Sequence, residues 1–440
     1  MTTIAPPTTA RASTRKSARD AGIDLVRAAC LAIVVALHSL MVGVSIGAAG
    51  PVFANAAEGH AWFIPLSWFV QVMPLFFIVG GFSTRMAYRS ARARGVAPAG
   101  FVAGRVQRLL GPAIVMIAVV GAALLAMTAA ELPADMVAEA GFRISQPLWF
   151  LGVYLLCQAL APALIAAHER APWITLAALA FSVIGVDAVA ATTGIGAVSF
   201  LNLAVVWLLI QQLGFWLAGG RVDALSTRTR IVVGLGALAA LFAVTMLGIY
   251  PANMYAGLNP PSAALVLLGV VQLAALSLAR PWLRRIAERG AVREISTWIN
   301  ARSMTIYLWH MPVLIALAGI GLVGALSGAL PLPEPGTAGW WLSRPFWIGM
   351  AFAVTAVVAQ STGRWERRAM PAATASTRRA VLASIAGVLS VVVLLVSGIT
   401  VATAIASVLL MRVALTASAN PPVGGPEQYQ RVMPATLPAA

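Results

Sequence analysis

The stretch GIDLVRAACLAIVVALHSLMVGV, residues 22–44, decides the fold class of this chain and poses its central chemical question. It is long and apolar enough to cross a bilayer, yet it carries Asp24, Arg27 and His38. An ionised side chain near a bilayer centre costs at least about 2.5–3.5 kcal/mol on insertion scales, so such residues are rare and usually functional. Asp24 and Arg27 are three apart and can meet across the first turn of a helix. Arg27 and His38 are eleven apart, almost three whole turns, so both project from one face roughly 16 Å apart along the axis. The face therefore carries a guanidinium near one membrane edge and an imidazole well inside. A histidine among apolar groups is held neutral and can accept a proton, which is what a general base must do. Snorkelling of Arg27 and a purely structural His38 account for either residue alone, less well for both on one face.

The rest of the chain has the same character. Of 440 residues, 60% are hydrophobic and only 10% charged, and the mean hydropathy is +0.88. Soluble domains carry about 25% charged residues, so the composition is that of an all-α, polytopic integral membrane bundle. The net charge of +16 is not a nucleic-acid footprint in such a protein, because basic residues collect in cytoplasmic loops. Cys30 and Cys157 both lie in apolar runs and support neither a disulfide framework nor a zinc site. Arg11, Arg15, Lys16 and Arg19 precede the first apolar run as in a signal peptide, but that run has spanning length and is expected to stay as a helix.

Apolar runs predict membrane helices over 23–44, 62–84, 109–129, 147–167, 173–190, 197–217, 231–250, 263–279, 304–322, 340–358 and 381–410. Arginines crowd every second connection, as in 85–94, 221–230, 280–293 and 364–379, and are nearly absent from the others. With the N-terminus cytoplasmic every basic connection falls inside. The pattern predicts a plasma-membrane protein of about ten core helices, with an eleventh that carries the C-terminal tail outside. It divides the chain into a basic arm (1–22, expected to be disordered), a membrane domain (23–370), a basic loop with the extra helix (371–411) and a disordered tail (412–440). No internal repeat and no paired broken helices are evident, which weighs against a transporter.

Three further constellations carry chemistry. In FVAGRVQRLLGP, Arg105 and Arg108 are three apart at the expected start of a helix. Paired guanidiniums bind phosphate bidentately and free N–H groups at a helix start add to that, whereas positive-inside topology explains any single arginine there. In NARSMTIYLWHMPV, His310 lies near Tyr307 and Trp309, and is expected to be mainly structural. In YPANMYAGLNPPSAAL, Asn259 sits in an outward connection that could line the extracytoplasmic mouth. Gly80, Gly81 and Trp149 are read as close-packing positions, Gln211 and Gln212 as interhelical hydrogen bonders, and Glu366 as a partner of its flanking arginines.

DLVRAACLAIVVALH, with its arginine and histidine, resembles the signature of the acyltransferase 3 family. MPLFFIVGGF, RVQR, PLWFL, QLGFWLAGG and SMTIYLWHMPV continue the resemblance over about residues 19–370, and NPPSAALVLLGVVQLAALSL resembles an actinomycete subgroup. The resemblance implies a membrane enzyme of about ten helices that moves an acyl group, often acetyl, from cytoplasmic acyl-coenzyme A to a hydroxyl. No permanently bound cofactor is implied. Its acceptors are envelope glycans, glycolipids or lipid-linked sugars. Carried over by position, Arg27 and His38 match the essential pair, while Arg105 and Arg108 match the basic motif linked to coenzyme A; Arg85 and Arg89 are further candidates for binding it. His310, Tyr307, Trp149 and Asn259 are the candidate substrate contacts. A proton- or anion-coupled transporter using Arg27, His38 and His310 as a path is the competing expectation.

Overall fold

The computed structural model describes residues 20–47, 50–57 and 59–420. Among these, twelve helical segments are long and apolar enough to cross a membrane. The first is α1 (Ala21–Met41), whose N-cap is the Asp20 carboxylate, accepting from the N–H groups of Gly22 and Ile23. A two-stranded antiparallel hairpin follows, β1 (Val42–Gly47) against β2 (Gly50–Asn55). The second span is split into α2 (Phe63–Val70) and α3 (Met73–Ala93), and α4 (Pro98–Ala129) returns. The fourth is again split, into α5 (Ala134–Ser145) and α6 (Trp149–Arg170), joined by a short 3₁₀ turn. Then come α7 (Pro172–Thr193), α8 (Asn202–Ala218), α9 (Thr227–Met246) and α10 (Ala263–Ala287). The amphipathic α11 (Gly290–Ala301) leads into α12 (Ser303–Leu326), followed by α13 (Ala338–Thr362), α14 (Thr377–Ser397) and α15 (Val401–Ser418).

The one long apolar run at 381–410 is two helices, not an eleventh spanning helix. Thirty residues make about 45 Å of helix, well beyond a hydrocarbon core of about 30 Å. Gly398 turns the chain at φ +68°, and Thr400 with Thr403 forms a capping box that starts α15. The hairpin closes on itself where the Thr374 N–H donates to Ser418 O and the Asn420 N–H to Ala372 O, both at 2.8 Å. The end of α15 therefore lies beside the start of α14, so the chain leaves the bundle at its N-terminal end, opposite to the expected export. Helix also extends into both stretches assigned to the termini, from Ala21 and up to Ser418; residues 1–19 and 421–440 lie outside the described residues.

The core forms two halves with α1 at the seam. Leu31 and Val35 pack into a cluster with Val106, Leu110, Leu151, Ile306 and Tyr307. Ile23, Val26 and Cys30 face a second cluster built around Phe77, Trp207, Leu209 and Leu268. On the second side α3 and α8 approach so closely that a Cβ on Gly81 would collide with the Gln211 carbonyl, and one on Gly214 with the Ile78 carbonyl. Those glycines do what small residues do between membrane helices.

Both broken spans are interrupted inside the bundle; the expected helix over 62–84 is broken at Gln71–Val72, and the one expected over 147–167 is preceded in the same span by α5. Backbone opened within a membrane must be satisfied by protein. At Gln71–Val72 this is done by the connection before α10 and by α10 itself. The Gln71 amide donates to Met254 O, Tyr255 Oη to Val70 O, Gln272 Nε2 to Gln71 O, and Trp68 Nε1 to Ala252 O. Asp187 of α7 anchors the same connection, accepting from Tyr250 Oη at 2.7 Å, Asn202 Nδ2 at 2.8 Å and the Ala263 N–H at 3.0 Å. Glu366 does not pair with its flanking arginines either. It caps α12, accepting from the N–H groups of Met304 and Thr305 and from Thr305 Oγ1.

Candidate active site

Helices α1 and α12 run side by side in the same direction, and two hydrogen-bonded rungs join α1 to the α11–α12 segment. On the lower rung Arg27 Nε donates to Asn300 Oδ1 at 2.7 Å, and its Nη2 to Asp24 Oδ1 at 3.1 Å. Asn300 Nδ2 in turn donates to Asp24 O. Arg27 is thus held stretched across the start of the helix and half-buried, not snorkelling freely. On the upper rung His38 Nδ1 lies 2.8 Å from His310 Nε2. His310, expected to be mainly structural, is fully buried and touches His38 directly.

The proton positions follow from the partners. His310 Nδ1 lies 2.5 Å from the Tyr307 carbonyl, which can only accept, so Nδ1 carries the hydrogen. In the neutral ring Nε2 is then the acceptor, and His38 Nδ1 donates to it. His38 Nε2 keeps its lone pair and makes no hydrogen bond to any described residue. The rings are 5.0 Å apart between centroids and tilted by 16°, so a proton captured at His38 Nε2 has its charge shared with a second imidazole. Tyr307 fixes this end of α12 by donating to Pro147 O at 2.8 Å while accepting from the Leu151 N–H.

Below the histidines the aromatic rings form a line. Tyr307 meets Phe150 edge-on at 5.0 Å, and Phe150 stacks on Tyr154 at 5.3 Å. Tyr154, Arg27 and Arg108 are the charged or ionisable groups in electrostatic contact with Arg105, one turn before Arg108 on α4. Arg105 makes no ion pair among the described residues; its guanidinium lies 4.9 Å above the Phe101 ring. Arg27, salt-bridged to Asp24, forms a basic group with Arg105 and Arg108 towards the N-terminal end of the bundle. The pair is not at a helix start, however. α4 begins at Pro98, two turns earlier, so its free N–H groups lie away from these side chains.

A comparison of the chain with protein families matches residues 20–360 to an acyltransferase domain. The chain belongs to the acyltransferase 3 family. It is a multi-pass membrane acyltransferase, and α14 and α15 lie beyond the matched region. No curated protein and no solved structure is detectably similar to it.

The remaining candidates are dispersed. Arg85 and Arg89 belong to a second basic group with Arg221 and Glu169, where buried Arg85 donates to Phe215 O and Gly219 leaves room for its guanidinium. Trp149 stacks on Trp207 at 5.5 Å and meets Phe150 edge-on, one ring removed from the line below the histidines. Asn259 is exposed, on the connection that seals the α2–α3 break. Sequence reasoning missed Asn300 altogether. Its signal was spacing: Asn300 precedes His310 by ten residues, nearly the Arg27–His38 interval.

Proposed function

We propose that this membrane acyltransferase moves an acyl group, acetyl or another short chain, from cytoplasmic acyl-coenzyme A to a hydroxyl of an envelope glycan, glycolipid or lipid-linked sugar. The observation that carries the reading is the His38–His310 pair with an unpartnered Nε2 lone pair, deep in a bundle of this family. Arg105 and Arg108 hold donor phosphates at the cytoplasmic end, where their charge is otherwise unbalanced. The acyl arm lies along Tyr154, Phe150 and Tyr307 towards His38. His38 Nε2 takes the acceptor hydroxyl's proton as its oxygen attacks the thioester carbonyl. The C–O bond forms, the C–S bond breaks, and the proton returns from the histidine pair to the departing thiolate. Arg27, fixed by Asp24 and Asn300, balances donor charge between the two ends.

This reading places the protein in the plasma membrane with its N-terminus cytoplasmic, an orientation that the arginine distribution supports. Mass spectrometry of envelope lipids and glycans, with and without the gene, tests it. Loss of one acyl mass from a single component is the expected result, and an unchanged acylation profile defeats it.

A transport reading draws support from one feature, the two interrupted spans. The α2–α3 break lies near Leu37, next to His38, since Val70 packs in the cluster around Leu37. The α5–α6 break is held by Tyr307. Broken helices facing a shared centre are common in transporters. Counterflow of a labelled solute by reconstituted protein, unaffected by removal of coenzyme A, would favour it.

A further inference from the structure

Among the described residues, Arg143 and Arg344 are the arginines at the end of the bundle away from the N-terminus. Arg143 is satisfied, donating to Glu139 at 2.6 Å and to Phe53 O at 2.9 Å. Arg344, nearly two turns into α13, is not. Its guanidinium carbon lies 4.5 Å from the centre of the Trp340 ring and 5.3 Å from that of Trp347. Among the described residues its Nε is sealed from solvent without a partner, and its one side-chain hydrogen bond is a long contact of 3.4 Å to Ser343 Oγ. Trp340 is itself almost wholly buried, so the cation is clamped in one orientation. Positive-inside topology does not explain an arginine at this end, and an interfacial tryptophan belt explains the indoles but not the charge between them.

The clamp is tied to the catalytic helix. Trp347 Nε1 donates to Ser39 O at 2.9 Å, the carbonyl immediately after His38. Arg344 therefore stands about one helical turn outward of the level of His38. Trp341, partly exposed, packs edge-on against Trp340 at 4.7 Å and Trp62 at 5.0 Å, extending an aromatic surface beside the cation. A half-buried guanidinium held between indoles, with donors left over, is built to take an oxyanion. Aromatic faces alongside suit the apolar face of a sugar ring.

We propose that Arg344, clamped by Trp340 and Trp347, binds an anionic group of the acceptor, the phosphate of a sugar phosphate or the carboxylate of a sugar acid. Anchored there, the acceptor presents a hydroxyl inward to His38. The substrate class is then an anionic sugar, not a neutral one. What the bound anion is for rests on the acyl-transfer reading; whether it binds does not.

The test is a titration of full-length protein in neutral detergent, followed by tryptophan fluorescence, because the cation lies against two indoles. The probes are glucose 1-phosphate, glucuronate and glucose, with coenzyme A titrated separately. Wild type is expected to bind at least one anion more tightly than glucose, and the preferred anion tells phosphate from carboxylate. Arg344→Gln is expected to weaken that anion about tenfold or more, down to the level of glucose, with coenzyme A binding unchanged. Arg344→Lys, which keeps the charge but not the fork, is expected to fall between them, and it carries the comparison if the glutamine variant does not fold. Equal binding of all three sugars by wild type, or an anion preference that survives in Arg344→Gln, overturns the proposal. Absence of coenzyme A binding by wild type would instead count against the donor reading and leave the anion result standing.

Discussion

His38 Nδ1 donates to His310 Nε2 across 2.8 Å, joining residues 272 positions apart in the chain. One consequence is chemical: the bond fixes His38 with its Nε2 lone pair free, because His310 is committed through Nδ1 to the Tyr307 carbonyl. Another is mechanical. Together with the Arg27–Asn300 bond it sets the register of α1 against α11 and α12, so Arg27 and His38 are both placed by contacts to that one segment.

If His38 is the base, His38→Gln removes acyl transfer by about 10²–10⁴-fold while donor binding persists, since general-base catalysis contributes about that much. His310→Gln is expected to lower kcat with little change in the donor KM, because it disturbs the orientation of His38 and not the donor site. The rate falls towards acid, as protonation of the pair fills the lone pair on Nε2. Near-normal turnover in His38→Gln would remove the mechanism and raise the transport reading.

Replacing both Arg105 and Arg108 with glutamine is expected to weaken coenzyme A binding by about 3 kcal/mol or more, taking about 1.5–3 kcal/mol per charged hydrogen bond. Arg92→Gln with Arg94→Gln is the control. Arg92 is exposed and already paired with Glu169, and Arg94 with Ser90, so that pair contributes charge to the surface alone. Calorimetric titration of coenzyme A separates the cases. Equal losses from both pairs would mean that general surface charge, not a site, binds the donor.

Asp20 gives a stability prediction with a definite pH window. Burial raises its carboxyl pKa, but hydrogen bonds from Arg284 and Arg280 outweigh that and hold it at about 2, below the ordinary 3.8. Arg280 Nη2 lies 2.7 Å and Arg284 Nη2 2.6 Å from Asp20 Oδ2, clipping the start of α1 to the end of α10. A depressed folded-state value stabilises above the unfolded pKa and is lost as pH falls through the folded one. The advantage of wild type over Asp20→Asn in thermal unfolding is therefore about 2 kcal/mol at neutral pH and shrinks between about pH 4 and 2. A gap that stays constant down to pH 2 would mean the carboxylate charge is not what stabilises the contact.

Most of the fold was legible because a bilayer imposes it. Apolar length marks a span and arginine marks one side, so ten spans could be read with no tertiary information. What was not legible is what depends on neighbours. Gln71 looks like an ordinary interruption in an apolar run, and only Met254, Tyr255 and Gln272 show how the opened backbone is satisfied. Arg27 and His38 announced themselves by cost, since apolar surroundings make each conspicuous. His310 did not, because one buried histidine on one helix has a structural explanation until its partner is known. Arg344 was hidden by the same logic among tryptophans that a membrane interface supplies freely. Gly398 was the clue to the last hairpin, a turn-former at position 18 of a thirty-residue run too long for one crossing.

That hairpin sets the last prediction. Twelve spans bring the chain back to the side on which it began, and the Ala372–Asn420 and Thr374–Ser418 hydrogen bonds place both ends of the hairpin together. In intact cells a cysteine at Arg94 is expected to be shielded from an impermeant thiol reagent, one at Asp135 labelled, and one at Asn420 shielded like the first. The native Cys30 and Cys157 are buried, so they add no background. Labelling at Asn420 together with Asp135 would restore a single exporting helix and contradict the hairpin. Labelling at Arg94 would invert the whole bundle, and with it the side from which coenzyme A must approach Arg105 and Arg108.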